Sequence, residues 1–344
     1  MTIRIERYTR NDLDKWDKFL YNQPDSNFYQ LSDWKQINES CFNHKCYYLG
    51  AEKNGEILGV FPVVFINSLL FGKIMTSMPF VNFGSICSIS DEISQLLLDE
   101  ATTIAREVEA DYVEIRGIDK VSESLPTVDH KISMTLDLKP DPDEIWNAFK
   151  SKHRTNIRRV YKENITVKHG REELLDTFYS LMSQSWKSLG TPIYRKSYFR
   201  KILQQFPDET LIFVAYKDDI PVATAFNGYY KDTVEGMWAG TIPNTRKIQP
   251  NYVLYWEMIK HACLNGYNHF HLGRSTADSG AETFKKKWNA YGKRLHWQYI
   301  LNKQQEVPQL NVNNPKFALA IKAWRKLPLK ITTTIGPYIA KNIP

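Results

Sequence analysis

At 344 residues, with 42% hydrophobic and 24% charged side chains, the chain is long enough for two ordinary domains, each with its own core, and has no low-complexity tract. A net charge of +7 points to anionic partners such as phosphates, nucleic acid or a membrane surface. Four cysteines without framework spacing argue against a disulfide-stapled secreted fold, and the polar start MTIRIERYTRND does not read as a signal peptide, so a cytoplasmic location is expected.

In chain order, Cys41-Phe-Asn-His44-Lys-Cys46 offers three metal-ligand types but no matching second pair, and a structural reading is preferred, with no metal site expected. YYLGAEKNGEILGVFPVVF (47–65) reads as strand, Asn-Gly turn, strand. The apolar stretch 57–72 is interrupted by Pro62 and Asn67 and is too short to span a bilayer. An amphipathic helix at 93–110 and a strand at 111–117 follow. LIFVAYKDDIPVATAFNGYY (211–230) repeats the hairpin, with a helix at 251–266 and a strand at 267–273 behind it. Leu49 to Val113 spans 64 residues and Phe213 to Phe270 spans 57, so two copies of one mixed α/β unit explain the pattern most economically.

Between the copies, KISMTLDLKPDPDEIW (131–146) passes from a strand through Pro-Asp-Pro into a helix expected to continue as DPDEIWNAFKSKHRTNIRRVYKEN. Ile145, Phe149, Ile157 and Tyr161 supply its apolar stripe. Lys152, His153, Arg154, Arg158 and Arg159 crowd the central turns without interleaved acids. Such a cluster repels itself unless a phosphate-bearing ligand relieves it, and arginine forks suit phosphate oxygens. Further on, HLGRSTADSGAETFKKKW (271–288) leaves a strand and enters a helix N-terminus, where free N–H groups suit an anion or a developing oxyanion. Arg274 and Ser275 either bind an anion there or tether the loop. Trp288 is expected in the core. In the tail (301–344), Phe317, Ala320, Ile321, Trp324 and Leu327 fall on one arc with Lys322, Arg325 and Lys326 largely opposite. This helix either lies on a membrane surface or docks on the protein's own core.

FYQLSDWK, SKHRTNIRR, LGTPIY, HLGRS and FKKKW occur in that order, and together they resemble the FemABX and FemAB-related acyltransferases. The resemblance runs from about Phe28 to Tyr299. It implies an α/β fold of two tandem GNAT-like (acyl-CoA N-acyltransferase-like) domains, mixed β-sheets flanked by helices, with expected bounds 1–135 and 136–300 and a separate tail. It also implies N-acyl or N-aminoacyl transfer to an envelope glycan or peptidoglycan precursor, with aminoacyl-tRNA as donor in the better-known members. The family's Phe-Lys pair near the transferred carbonyl matches Phe284 and Lys285. Its phosphate-facing bases match Arg154 or Arg158, with Lys152 beside them, and Lys35 after Trp34. Those members often carry a long helical arm for tRNA in the second domain, and the stretch from Asn164 to Thr210 leaves room for only two short helices.

Acyl transfer to an amine passes through a tetrahedral oxyanion that a lysine can stabilise, and Lys285 is the candidate. The amine proton needs a base, for which Glu235, His271 and Asp278 are candidates. CoA-dependent GNAT enzymes cradle pyrophosphate on a glycine-rich loop before the helix after the fourth strand. Here that segment is TRKIQPNYVLYW, where Pro250 and Asn251 replace glycines and Pro250 removes a donor. No resident cofactor is expected. The rival donors are acyl-CoA or an acyl carrier protein acylating amino sugars of an exopolysaccharide. The rival from another class is a catalytically silent GNAT pair that binds RNA or membrane.

Overall fold

The computed structural model describes residues 2–9, 13–69, 71–245, 247–308 and 315–343, with the side chains of 315–317 outside that description. The chain forms two compact units. One comprises Met1–Ile132, Lys293–Gln309 and Lys341–Pro344, and the other Ser133–Gly292 and Leu310–Ala340. This division differs from the expected bounds: residues 293–309 rejoin the first unit, and most of the tail belongs to the second.

The first unit contains β1 (Arg4–Tyr8), α1 (Leu13–Asn22), α2 (Asp33–Phe42), β2 (Lys45–Lys53), β3 (Glu56–Ser68), β4 (Gly72–Thr76), β5 (Cys87–Ser88), α3 (Asp91–Glu107), β6 (Tyr112–Gly117) and the start of β7 (Thr127–Asp137). The β2–β3 hairpin turns at Asn54-Gly55, whose φ values of 57° and 84° suit the right-handed twist of the strands it joins. β4 runs parallel to β6 while β3 runs antiparallel to both β2 and β4, so the sheet is mixed. On α3, Ile93, Leu97, Ala101 and Ile104 recur at helical spacing and pack on Leu49, Phe61, Val63 and Val113. Gly59 permits the close approach, since a Cβ there would sit 2.6 Å from Ile93 Cγ2.

The second unit takes up the end of β7 and continues with α4 (Pro142–Ala148), α5 (Ser151–Tyr161), β8 (Ile165–Gly170), α6 (Glu172–Leu189), α7 (Lys196–Gln205), β9 (Thr210–Lys217), β10 (Ile220–Tyr230), β11 (Thr233–Thr241), α8 (Asn251–Leu264), β12 (His269–Thr276), α9 (Gly280–Lys286) and the start of β13 (Tyr291–Leu301). Its hairpin β9–β10 turns at Asp218-Asp219, both at positive φ, and β11 pairs parallel with β12 as β4 does with β6. The repeat seen in the sequence is thus a repeat of structure.

The expected single helix from Pro142 onward is two. Phe149 and Lys150 adopt extended ψ values of 145° and 140°, which ends α4 and opens α5. The break turns the Phe149 ring onto Trp256 and Trp288, and this packing outweighs helical continuity. Between Asn164 and Thr210 the chain holds β8, α6 and α7. In the tail, α10 (Pro315–Lys326) and α11 (Leu329–Ala340) both contact α6. Trp324 is buried, and Ile321 packs where Gly190 leaves room, so these two members of the expected apolar arc meet the protein's own core, whereas Ala320 is exposed. Phe317, the first residue of that arc, has its side chain outside the described residues.

Candidate functional site

The register of β11 with β12 runs from Thr233↔His269 to Glu235↔His271, after which the strands continue to Thr241 and Thr276. Glycines occupy the crowded point: a Cβ on Gly273, whose φ is +79°, would lie 2.7 Å from Gly236 O. Beyond it, the end of β11, the start of α8 and one side of α9 enclose a cavity of about 360 Å³, lined by Ser185, Ala239, Gly240, Thr241, Gln249, Pro250, Asn251, Tyr252, Phe284 and Lys287.

Helix α8 opens without a glycine loop. Pro250 contributes no N–H, and the amides of Tyr252 and Val253 donate to Gln249 O and Pro250 O at 3.1 Å. Three successive backbone positions after Asn251 and the one before it therefore offer no free amide to a pyrophosphate. Arg159 of α5 reaches this loop and donates through Nη2 to Gln249 Oε1 at 2.7 Å. Gln249, Tyr252, Gly240 and Ser185 carried no signal in the sequence, whereas Arg159 did, as a member of the basic cluster.

The three consecutive lysines diverge. Lys286 pairs with Glu282, Lys287 lines the cavity with Nζ 3.5 Å from the Tyr252 hydroxyl, and Lys285 turns inward. Lys285 Nζ is buried and donates to Gly273 O at 2.6 Å and Arg274 O at 3.2 Å. Burial, and secondarily the charge of Arg274, lowers its pKa from 10.5 to about 7. The expected anion site at the N-terminus of α9 is corrected. The helix has seven residues, Ser279 Oγ caps the Glu282 amide, and the buried Glu282 carboxylate accepts from the Asp278 amide. A carboxylate already occupies that end. Arg274 contributes its carbonyl to Lys285, and Ser275 is buried, so both belong to the loop that holds the lysine.

Phe284 lines the cavity and meets Tyr252 and Tyr255 edge-on, with ring centroids 5.6 and 5.4 Å apart. Trp288 is fully buried, as expected. Glu235 is buried and accepts from or shares a proton with His271 Nδ1 at 2.7 Å. Burial would lower the His271 pKa, but the Glu235 charge and hydrogen bond outweigh it and raise it. Asp278 is exposed and makes a turn at φ 60°.

The basic helix separates from the cavity. Lys152 and Arg158 are exposed, Arg154 is half-buried, the Arg158 guanidinium lies 5.3 Å over the Trp146 ring, and none of the three lines the cavity. His153, read as part of that charge, is instead core: its ring sits 4.4 Å from Trp288 and neither ring nitrogen has a hydrogen-bond partner. Burial, then Lys287, lowers its pKa from 6.5 to about 4, so the ring is neutral. The unfolded chain binds the proton between those values, and stability should fall as pH drops from 6.5 to 4. His153→Phe should flatten that loss in chemical denaturation at a series of pH values. An unchanged slope would place the charge elsewhere.

Trp34 and Lys35 sit in the first unit and have internal roles in place of the expected substrate contacts. Trp34 is buried with its indole donating to Phe28 O, and Lys35 Nζ is bound to Glu39 Oε1 at 2.7 Å and Cys46 O at 2.9 Å.

Residues 151–286 match the acetyltransferase (GNAT) domain family. The chain is 23% identical over 209 residues to a Staphylococcus aureus lipid II:glycine glycyltransferase, an alignment covering 54% of this chain and 49% of the relative; the chain thus spans about half the length of the curated relatives it matches. Among solved structures, FemX superposes with a TM-score of 0.66 at 17% identity, covering 87% of this chain and 98% of FemX. A tandem GNAT protein from the clavulanic acid biosynthesis pathway superposes with a TM-score of 0.55 at 9% identity, covering 87% of this chain and 98% of its own.

Proposed function

We propose that the chain, which is similar to the FemABX-related GNAT-fold proteins, is an aminoacyltransferase that moves an amino acid from aminoacyl-tRNA to an amine on a phosphorylated peptidoglycan or related envelope-glycan precursor. The observation that carries the donor choice is the entrance to α8, where Pro250 and the committed amides of Tyr252 and Val253 leave no cradle for a pyrophosphate. A nucleotide end makes different demands, namely aromatic faces for its bases and cations for its backbone. Tyr252, Phe284 and Lys287 line the cavity and are assigned to that role. The relative's name, lipid II:glycine glycyltransferase, supports transfer of an aminoacyl group to a peptidoglycan-precursor acceptor.

In the reaction, the acceptor nitrogen attacks the ester carbonyl, forming the new C–N bond and a tetrahedral oxyanion. The acceptor nitrogen then gives up a proton as the C–O bond to the ribose breaks, and the ribose oxygen leaves carrying that proton. The Lys285 ammonium is assigned to the oxyanion, and the loop carbonyls of Gly273 and Arg274 hold it in place. Glu235 and His271 form a buried proton-sharing pair behind the same loop and are assigned to positioning.

The purified chain incubated with a charged tRNA pool and a peptidoglycan precursor should add the mass of one aminoacyl residue to the precursor. Transfer of an acetyl group from acetyl-CoA under the same conditions would promote the exopolysaccharide N-acyltransferase reading instead. The basic helix is assigned to the acceptor phosphates. Arg154→Ala with Arg158→Ala should weaken acceptor binding by about tenfold or more, with a smaller salt dependence than wild type and a nearly unchanged melting temperature. Unfolding of this variant would make both residues structural.

A further inference from the structure

Helix α11 carries its larger apolar side chains outward. Its buried positions are Thr332, Gly336, Pro337 and Ala340, whereas Ile331, Ile335 and Tyr338 are 43%, 40% and 59% exposed. Spacings of four and three place those three on one stripe of the helix. A helix that only packs on its own protein does the reverse, burying the isoleucines and showing the threonines. On α10, Leu319 is 76% exposed as well. In the arc of α10 singled out in the sequence Trp324 is buried and Ile321 and Leu327 are half-buried, so the most exposed apolar stripe is a different one, on α11.

Charge says what covers it. Residues 307–344 contain six basic side chains and no Asp or Glu, in a chain whose net charge is +7. Nearly all of the chain's excess charge is thus carried by this segment. Lys322, Lys326 and Lys330 are exposed, and Arg195 lies 4.8 Å over the Tyr338 ring. A second copy of the chain seated on the same face would bring two acid-free cationic segments together, which repel. RNA would satisfy the lysines and leave the isoleucines in water. A bilayer with anionic headgroups satisfies both.

We propose that the outward face of α11, with the exposed lysines of α10 and α11, docks on the surface of an anionic phospholipid bilayer. Ile331, Ile335 and Tyr338 enter the boundary between headgroups and acyl chains, and the lysines meet lipid phosphates. Tyrosine suits that depth because its ring is apolar and its hydroxyl stays wet. The helix lies on the membrane and does not cross it: α11 has 12 residues, and among the described residues no helix is long and apolar enough to span. This docking is independent of the proposed transfer reaction, and its test needs no substrate.

The full chain should float with vesicles of phosphatidylcholine containing about a third phosphatidylglycerol, be released as salt rises, and stay behind with phosphatidylcholine alone. Ile331→Ser, Ile335→Ser and Tyr338→Ser combined should lower vesicle partitioning by about tenfold or more, at an unchanged melting temperature. Lys322→Gln, Lys326→Gln and Lys330→Gln combined should lower it comparably and remove most of the salt dependence. The proposal is overturned if the wild-type chain fails to float with anionic vesicles at low salt, or if the triple serine variant floats as well as wild type. It is also overturned if the wild type is a lipid-free dimer that the serine variant converts to monomer.

Discussion

Lys285→Met is expected to lower turnover by roughly two to three orders of magnitude while leaving acceptor affinity close to wild type, because its ammonium acts on charge that exists only in the transition state. The pH profile separates this from a purely structural role. With a pKa of about 7, the lysine is charged below neutrality and loses its proton above it. Wild-type kcat should therefore bend downward above pH 7, and the residual activity of the variant should lack that bend. Stability moves the opposite way. Folding holds the pKa below the ordinary 10.5, so the unfolded chain binds more protons between about 7 and 10.5 and the native state gains stability as pH rises through that window. Lys285→Met should lose that slope, at most about 1.4 kcal/mol per pH unit for a single proton. A variant with full turnover, or one with the same kcat bend and the same stability slope, would remove Lys285 from the reaction.

Trp288→Ala should destabilise the second unit by about 3–5 kcal/mol, the cost of emptying a large aromatic site that its neighbours cannot fill. Trp288 is fully buried, stacks on Tyr255 at 5.8 Å with an interplanar angle of 23°, and meets Phe149 edge-on at 5.5 Å. It thereby joins the break between α4 and α5 to α8 and α9, two of the helices that line the cavity. Urea denaturation reads the loss, and Trp288→Phe should recover much of it. A loss below about 1 kcal/mol would mean that the cluster collapses around the gap and does not fix the cavity wall.

The parts of the fold legible in the sequence were those specified locally. Asn54-Gly55 requires a tight hairpin whatever surrounds it, and the spacing from hairpin to helix to strand repeats in both halves. The break at Phe149 was not legible, because Phe149 continues the same helical stripe as Ile145. Only the packing of its ring on Trp256 and Trp288, distant in sequence, decides the extended conformation. His153 misled for the same reason: five basic residues in one segment look alike until burial against Trp288 neutralises one of them. Ser279-x-x-Glu282 was readable as a capped helix start, and it would have argued against an anion site there. The directions of Lys285, Lys286 and Lys287 depend on Gly273 O, Glu282 and Tyr252, which no spacing rule supplies. The absence of a glycine loop before α8 was legible, because proline lacks the N–H wherever it stands.

The central claim is that the cavity at the start of α8 takes the end of an aminoacylated RNA and not CoA. Equilibrium binding of a short RNA hairpin, carrying a non-hydrolysable aminoacyl amide at its 3′ end, tests this directly against acetyl-CoA. Saturable, salt-sensitive binding of the charged hairpin, weakened by Phe284→Ala and Lys287→Ala and unaffected by excess acetyl-CoA, is the predicted result. Saturable binding of acetyl-CoA that the same two substitutions weaken, with no affinity for the charged hairpin, would contradict it.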